Sequence, residues 1–352
     1  MTTRFGISRA AALSTALASA LLASAAGANA QSVEDFYKGK KVDIVIGFTV
    51  GGGYDAYARL VGRHMGEHIP GKPTMVPRNM TGAGSRIAAA YIHGVAPKDG
   101  TAMGIADQSI ALEQALGDAG VKFDSREFNW IGNPNADNNV LTMWHTSPVK
   151  TVEDAKKAEV NIGATGYNTS SQYPTVLNAM VGTKFKVILG YPGGNEINLA
   201  MERGEVAGRG SNAWASYKST RPDWIKDNKI THLVQIGLRK APDLPNVPLL
   251  MDTATNDLDR AALRLLSAPT TIGRPFFAPP KVPADRVKAL RAAFDAMVKD
   301  KAFLADAKKL NLDIEPVSGE ELQKIVSDII DSPANVKKRL ADVLSLVERE
   351  KK

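Results

Sequence analysis

Apolar positions along this chain repeat with two alternating periods. "VDIVIGF" (residues 42–48) has the apolar run of a strand, and Tyr57, Leu60, Val61 and Met65 then fall on one face of a helix. "TMVPRN" and "TAMGIA" read as two further strands, with "SRIAAAYIHGV" as the helix between them. Strand and helix in alternation predict a parallel sheet covered on both faces, and such sheets bind ligands beyond the carboxyl ends of their strands. The alternation restarts downstream. "NVLTMWH", "EVNIGAT", "FKVILGY", "EVAGRGS" and "ITHLVQIGL" are strand-like, with helices predicted near 151–158, 170–181, 195–203 and 213–220. Pro242, Pro245 and Pro248 then forbid regular helix. Beyond Pro283, Val287, Leu290, Phe294 and Met297 repeat at helical spacing, Ser318 with Glu321 makes a capping box, and Ser332-Pro333 opens a last helix. The pattern predicts an α/β protein of two units, with residues 135–265 inserted between residues 31–134 and 266–352 of the first. A cleft between two lobes follows from that arrangement.

The first thirty residues stand outside this scheme. Arg4 and Arg9 precede an Ala/Leu-rich stretch from Ala10 to Ala26 that closes on Ala28-Asn29-Ala30, the small-x-small pattern of a secretory signal. Residues 1–30 are accordingly read as a signal peptide with cleavage after Ala30, which puts the mature chain in the periplasm. No later segment is apolar for long enough to cross a bilayer. Loss of Arg4 and Arg9 lowers the formal net charge from +7 to +5. Basic residues are scattered among acids, with no basic block interleaved with aromatics, which argues against nucleic acid as a partner. The chain has no cysteine, so disulfides, thiolate metal sites and a cysteine nucleophile are excluded.

Chemistry concentrates in glycine-rich turns. In "FTVGGGYD" (residues 48–55), Gly51 and Gly53 match the first pair of a dinucleotide fingerprint. Asp55 in the first helical turn opposes a pyrophosphate, however, and no Lys-Ser/Thr pair follows to make a phosphate loop. A single carboxylate fits better, because free N–H groups at a helix start hold one anion without a basic side chain. Asp55 then serves the turn, capping N–H groups or pairing with Arg59 four residues on. A tight turn with no ligand explains the same local features. "NMTGAGSRIAAA", "GATGYNTSSQY" and "LGYPGGNEIN" repeat the device and add the hydroxyls of Thr165, Thr169, Ser170 and Ser171. Four such turns converging on one cleft would suit an anion with several oxygens.

Taken as a set, these motifs resemble the substrate-binding proteins of tripartite tricarboxylate transporters, the Bug family. Gly47-Phe48-x-x-Gly51-Gly52-x-x-Asp55-x-x-Ala58-Arg59 is similar to that family's first loop, "NMTGAGS" to its second, and "APKDGTAMG" to the turn that follows. "GYPGG", "LRKAPDLPNVPLL" and "FFAPPKVPADRV" resemble its later segments, so the likeness runs through the whole mature chain in order. Ser85 and the Asn168-Thr169 pair depart from the usual glycine and Gly-Ser residues. The resemblance implies a two-lobed periplasmic-binding-protein fold, type II-like, with a mostly parallel sheet in each lobe. It implies capture of a small organic acid, mono-, di- or tricarboxylate, and delivery to the transporter's membrane subunits. It points to Phe48, Gly51, Gly52 and Asp55 in the first loop, Gly82, Ala83 and Gly84 in the second, and Thr165, Gly166, Thr169 and Ser170 in the other lobe. Thr49, Gly53, Ser85, Gln108, Tyr167, Tyr191 and Gly193 complete the candidate set beside them.

Arg209 carries a separate expectation. At a strand end facing the cleft it would take a second carboxylate bidentately, whereas at the surface it would pair with Glu205 or Glu202. Tyr167, Tyr191 and Trp214 are either a wall for the ligand body or core residues. His64 and His68 have zinc-ligand spacing, but no Glu follows His64 and no third ligand is evident, so neither metal nor cofactor is expected. His145 and His232 are expected to be hydrogen-bonded core residues. No G-x-S-x-G or S-x-x-K motif occurs, and the chain is read as a monomeric binding protein rather than an enzyme. The rival functions are a module presenting the acid to a membrane sensor kinase and, further off, a periplasmic hydrolase using Ser170 or Ser171.

Overall fold

The computed structural model describes residues 31–349; the signal peptide read in residues 1–30 lies outside the described residues. The first run of elements is α1 (Val33–Tyr37), β1 (Lys41–Ile46), α2 (Gly53–His64), β2 (Thr74–Asn79), α3 (Arg86–Gly94), β3 (Ala102–Ile105), α4 (Ile110–Ala115) and β4 (Asn129–Asn133). The second run is β5 (Asn139–Trp144), α5 (Val152–Lys157), β6 (Val160–Gly163), α6 (Thr169–Val181), β7 (Phe185–Ile188), α7 (Gly194–Glu202), β8 (Gly208–Ala213), α8 (Trp214–Thr220), α9 (Pro222–Lys226) and β9 (Ile230–Ile236). α10 (Asp257–Ser267), β10 (Phe276–Ala278), α11 (Ala284–Met297), α12 (Lys301–Lys309), β11 (Val317–Ser318), α13 (Gly319–Ile330) and α14 (Ala334–Arg349) complete the chain.

Two sheets result, ordered β2-β1-β3-β10-β4-β11 and β7-β6-β8-β5-β9. The parallel trios are β2-β1-β3 and β7-β6-β8. An antiparallel strand flanks each trio, β10 in the first sheet and β5 in the second. Each is the first strand laid down after the chain crosses from one lobe to the other. Crossings occur at residues 134–138 and again at 268–275, between β9 and β10.

β1 shows why the sheet is covered on both faces. Side chains alternate across a strand, so Val42, Ile44 and Ile46 join Tyr57, Leu60 and Val61 of α2, while Val45 joins Ala88 and Ile92 of α3. All of these are buried, and each large one contributes about 1.5–3 kcal/mol relative to exposure. The second lobe uses explicit caps: Thr151 forms a capping box with Asp154, and Asn168 accepts from the Ser170 N–H at the start of α6.

One element departs from the predicted lobe organisation. α13 packs on β4 and α4 of the first lobe, but α14 packs on α6 and α10 instead, so the last helix does not stay with the first sheet. The Ser332-Pro333 turn redirects the chain there, and Leu340 and Val343 bury the apolar stripe of the last helix.

Candidate functional site

The carboxyl ends of β1, β6 and β7 each feed a helix whose first turn faces the space between the lobes. Gly52 and Gly53 at the start of α2, Thr169 and Ser170 at the start of α6, and Gly194 at the start of α7 line one small cavity of about 50 Å³. The first turns of these helices carry backbone N–H groups without intrahelical partners and a partial positive charge. Helices from both lobes therefore aim at the same point.

The first glycine turn is built around a buried carboxylate. Asp55 is 2% exposed. It accepts from the Gly51 N–H at 3.0 Å, Asn79 Nδ2 at 2.9 Å and Arg59 Nε at 2.9 Å. Burial opposes its charge, but the bonds from Arg59, Asn79 and Gly51 outweigh burial and hold the carboxyl below its ordinary range. The Gly51 N–H is thus used inside the turn, which leaves Gly52 and Gly53 facing the cavity. Asp55→Ala is expected to cost roughly 1–3 kcal/mol by orphaning those donors; urea denaturation that shows no loss would contradict this role.

The second turn acts from behind. Gly82, Ala83, Gly84 and Ser85 all have positive φ (131°, 47°, 64° and 78°), and none of the four lines the cavity. Gly84 instead meets Gly166 of the opposite lobe backbone to backbone, and the Ser85 hydroxyl accepts from the Asp107 N–H at 2.8 Å. Asn168 Nδ2 contacts Asp107 Oδ2 at 3.2 Å, and Arg86 Nη2 donates to the Tyr167 carbonyl at 2.8 Å, so this turn is a seam between lobes.

Asp107, Ser109 and Glu113 share a proton problem. Ser109 Oγ lies 2.7 Å from Asp107 Oδ1 and 2.6 Å from Glu113 Oε1. A hydroxyl donates one proton only. One of the two carboxyls must therefore carry a proton and donate to Ser109. Burial pushes Glu113 up to about 7, with Asp107 adding to the rise and Arg86, 2.7 Å away, and Ser109 opposing it. Asp107 is also raised by burial, against the bonds from Ser109.

Two arginines point into the cavity, and among the described residues neither makes a salt bridge. Arg209 Nη1 donates to the Gly194 carbonyl at 3.2 Å and to Asn198 Oδ1 at 3.1 Å. Arg274 Nη2 donates to Ser216 Oγ at 2.8 Å, its guanidinium lying 4.6 Å from the Tyr54 ring. The acids weighed as surface partners for Arg209 are engaged elsewhere: Glu205 with Arg203 at 2.6 Å and Glu202 with Arg221 at 3.8 Å. Nε of both arginines, Nδ2 of Asn212 and both amide atoms of Gln108 are buried with no protein partner.

Among the predicted residues, Phe48, Gly52, Gly53, Thr165, Thr169, Ser170 and Arg209 line the cavity. Thr49 binds Glu196 at 2.8 Å across the lobes, and Gly193 packs against Thr49. Tyr167 is half exposed, and Tyr191 packs beside Gly163; neither lines the cavity. Its aromatic wall is Phe48 stacked on Tyr54, ring centroids 4.7 Å apart, while Trp214 is buried against His232 with Nε1 donating to Asp243. Asp107, Asn139, Ser211, Asn212, Ser216 and Arg274 line the cavity without having been singled out in the sequence, since no local motif marks them. The Ser170 and Ser171 hydroxyls are spent on Asn168, its side chain and its carbonyl respectively, so neither has a base beside it. His64 faces Asp306 at 3.0 Å and His68 faces Asp300 at 3.6 Å. The His232 ring bonds Thr142, and burial holds it down to about 4.

Comparison with solved structures shows where this fold recurs. The Rhodopseudomonas palustris protein MatC with bound malate is 18% identical, with a TM-score of 0.66 over 87% of this chain and 99% of that one. The R. palustris protein Rpa4515 with adipate is 19% identical (TM-score 0.67; 87% and 97% covered), and the periplasmic binding protein BugD is 18% identical (0.69; 89% and 99%). At such identities the likeness establishes the two-lobed periplasmic-binding-protein fold. No curated protein sequence is a significant match. The family model described as "Tripartite tricarboxylate transporter family receptor" matches residues 58–342, most of the chain from within α2 to within α14. The chain belongs to the tripartite tricarboxylate transporter receptor family.

Proposed function

We propose that this receptor captures a small organic carboxylate in the periplasm and presents it to the membrane subunits of a tripartite tricarboxylate transporter. One observation carries the reading. Helix starts from both lobes, with the buried guanidiniums of Arg209 and Arg274, converge on a cavity whose sole lining carboxylate, among the described residues, is Asp107. Backbone N–H groups and arginines are the donors that suit a carboxylate. A ligand bound there touches both lobes, and only a ligand with contacts to both shifts the balance toward the closed form. The structures of relatives with malate and adipate support the ligand class.

The test is a thermal-shift screen of mature protein against a carboxylate panel, with calorimetry on each hit. At least one acid is expected to raise the melting temperature and compact the scattering profile. If none shifts it, the carboxylate reading fails.

A further inference from the structure

We propose that a groove behind the seam between the lobes is a second ligand site, for a small organic ammonium ion with an apolar body, and that its occupant strengthens carboxylate binding in the cleft. The coupling rests on the carboxylate reading above; the second site does not.

The groove holds about 480 Å³ and is walled by both lobes, with Leu116 and Asp118 after α4 on one side and α6, Val187 of β7, Leu189 and α14 on the other. That volume and a position between domains are typical of small-molecule sites. Tyr167 and Ser171, both singled out in the sequence, line this groove and not the cleft.

The polar lining is short of donors. Glu113, Asp118 and Asp342 line the groove, and among the described residues no Lys, Arg or His does. The Ser171 and Ser345 hydroxyls already donate to backbone carbonyls, which leaves only their lone pairs. Gln172, also in the lining, is 7% exposed, and its Oε1 is buried with no donor. An ammonium group supplies donors and positive charge together, and the half-exposed Tyr167 ring offers it a π face. Leu116, Val187, Leu189 and Leu344 suit an apolar body. The charge count agrees. Arg86 pairs with Glu113 and Asp118, and Lys338 with Asp342. Three acids against these two bases leave one negative charge when Glu113 is ionised and none when it is protonated.

Glu113 lines the groove, Asp107 lines the cleft, and the Ser109 hydroxyl stands between them. With the shared proton on Glu113, that carboxyl donates to Ser109 Oγ and the Ser109 O–H donates to Asp107. The reverse arrangement forms when the Glu113 proton passes to Ser109 Oγ as the Ser109 proton passes to Asp107 Oδ1, so no proton enters or leaves. Arg274 draws the negative charge toward Asp107, and Arg86 draws it toward Glu113. A cation in the groove adds to the pull of Arg86. Asp107 then becomes neutral, and the cleft loses the charge that opposes an anionic ligand. By reciprocity, a carboxylate in the cleft tightens the groove around its cation.

The test is calorimetry at fixed neutral pH with phenethylammonium, against 2-phenylethanol as its uncharged counterpart. The ammonium ion is expected to bind roughly tenfold or more tightly than the alcohol, and Asp342→Lys, at an exposed position of α14, is expected to remove that margin. Saturating phenethylammonium is expected to tighten the best carboxylate about fivefold or more, and Glu113→Gln to abolish the gain. If the ammonium ion binds no better than the alcohol, or Asp342→Lys leaves its affinity unchanged, the second site is overturned. Binding that leaves the carboxylate affinity unchanged overturns the coupling. If no carboxylate binds, the carboxylate reading fails with the coupling, and the ammonium titration still decides the groove. The ratios measured on the unaltered protein hold even where a variant folds poorly.

Discussion

Gly166→Ala should reduce ligand affinity by at least tenfold, about 1.4 kcal/mol, without a comparable loss of fold stability. A Cβ at residue 166 would lie 2.7 Å from the Gly84 backbone nitrogen and 3.1 Å from its Cα. Both atoms belong to backbone in a turn of four consecutive positive-φ residues, so the neighbour has little room to give. The added methyl acts as a wedge between lobes. It raises the free energy of the closed form and leaves the open form untouched, so the cost appears as lost affinity. The melting temperature without ligand should move by no more than about 4 °C, within what 1 kcal/mol does to a domain of this size. Scattering should show that saturating ligand no longer compacts the variant fully. Unchanged affinity in calorimetry would mean that the Gly84–Gly166 approach is not part of the bound form.

Raising the pH from about 5 to 8 should remove a stabilising contribution of Glu113, and Glu113→Gln should abolish that contribution. Glu113 is raised by burial to about 7, from an ordinary 4.5. A carboxyl raised in the folded state contributes stability that is complete below its unfolded value and is lost as pH climbs through the folded one. The window is therefore about 4.5 to 7, with a slope of at most about 1.4 kcal/mol per pH unit for one proton. The groups facing Glu113 are Arg86, Ser109 and, through Ser109, Asp107; Asp118 sits on the far side of Arg86, and Asp342 of α14 lines a surface groove together with Glu113 and Asp118. Glutamine keeps a donor toward Ser109 and an acceptor toward Arg86, so it imitates the protonated acid at every pH. What slope remains belongs to Asp107, Asp137 and Asp295, raised by burial, and to His232, whose lowered value gives a slope of opposite sign. Chemical denaturation across this range reads the outcome, and a variant as pH-dependent as the unaltered chain would remove Glu113 from the account.

Much of the scaffold was legible because its elements are long enough to show their period. "TMVPRN" coincides with β2, and the helices read near 151–158, 170–181, 195–203 and 213–220 lie within one residue of α5, α6, α7 and α8 at each end. β10 was not legible: three residues, Phe276–Ala278, show no period, and their antiparallel place between β3 and β4 depends on contacts far away in the chain. The site divides in the same way. Glycine turns at helix starts announce themselves locally, and Gly52, Gly53, Thr169 and Ser170 do line the cavity. Asp107 and Arg274 come from a loop and a crossing with no motif, and only the folded chain brings them together. The fate of Gly51 was hidden for another reason, since whether an N–H faces outward or bonds Asp55 depends on one side-chain rotamer.

The last helix changes how the two lobes are hinged. The crossings at 134–138 and 268–275 run side by side, close enough that a Cβ on Gly273 would collide with the Asn135 carbonyl. Together they form one place at which the lobes can pivot. The turn from Asp331 to Pro333, between α13 on the first lobe and α14 on the second, supplies another. A body held at two separated pivots turns about the line joining them and resists rotation about any other. The lobes should therefore swing like a door, along a single coordinate, rather than twist or slide. A ligand that arrests such a motion has one degree of freedom to freeze, which keeps the entropic cost of closing low and leaves more of the contact energy for affinity.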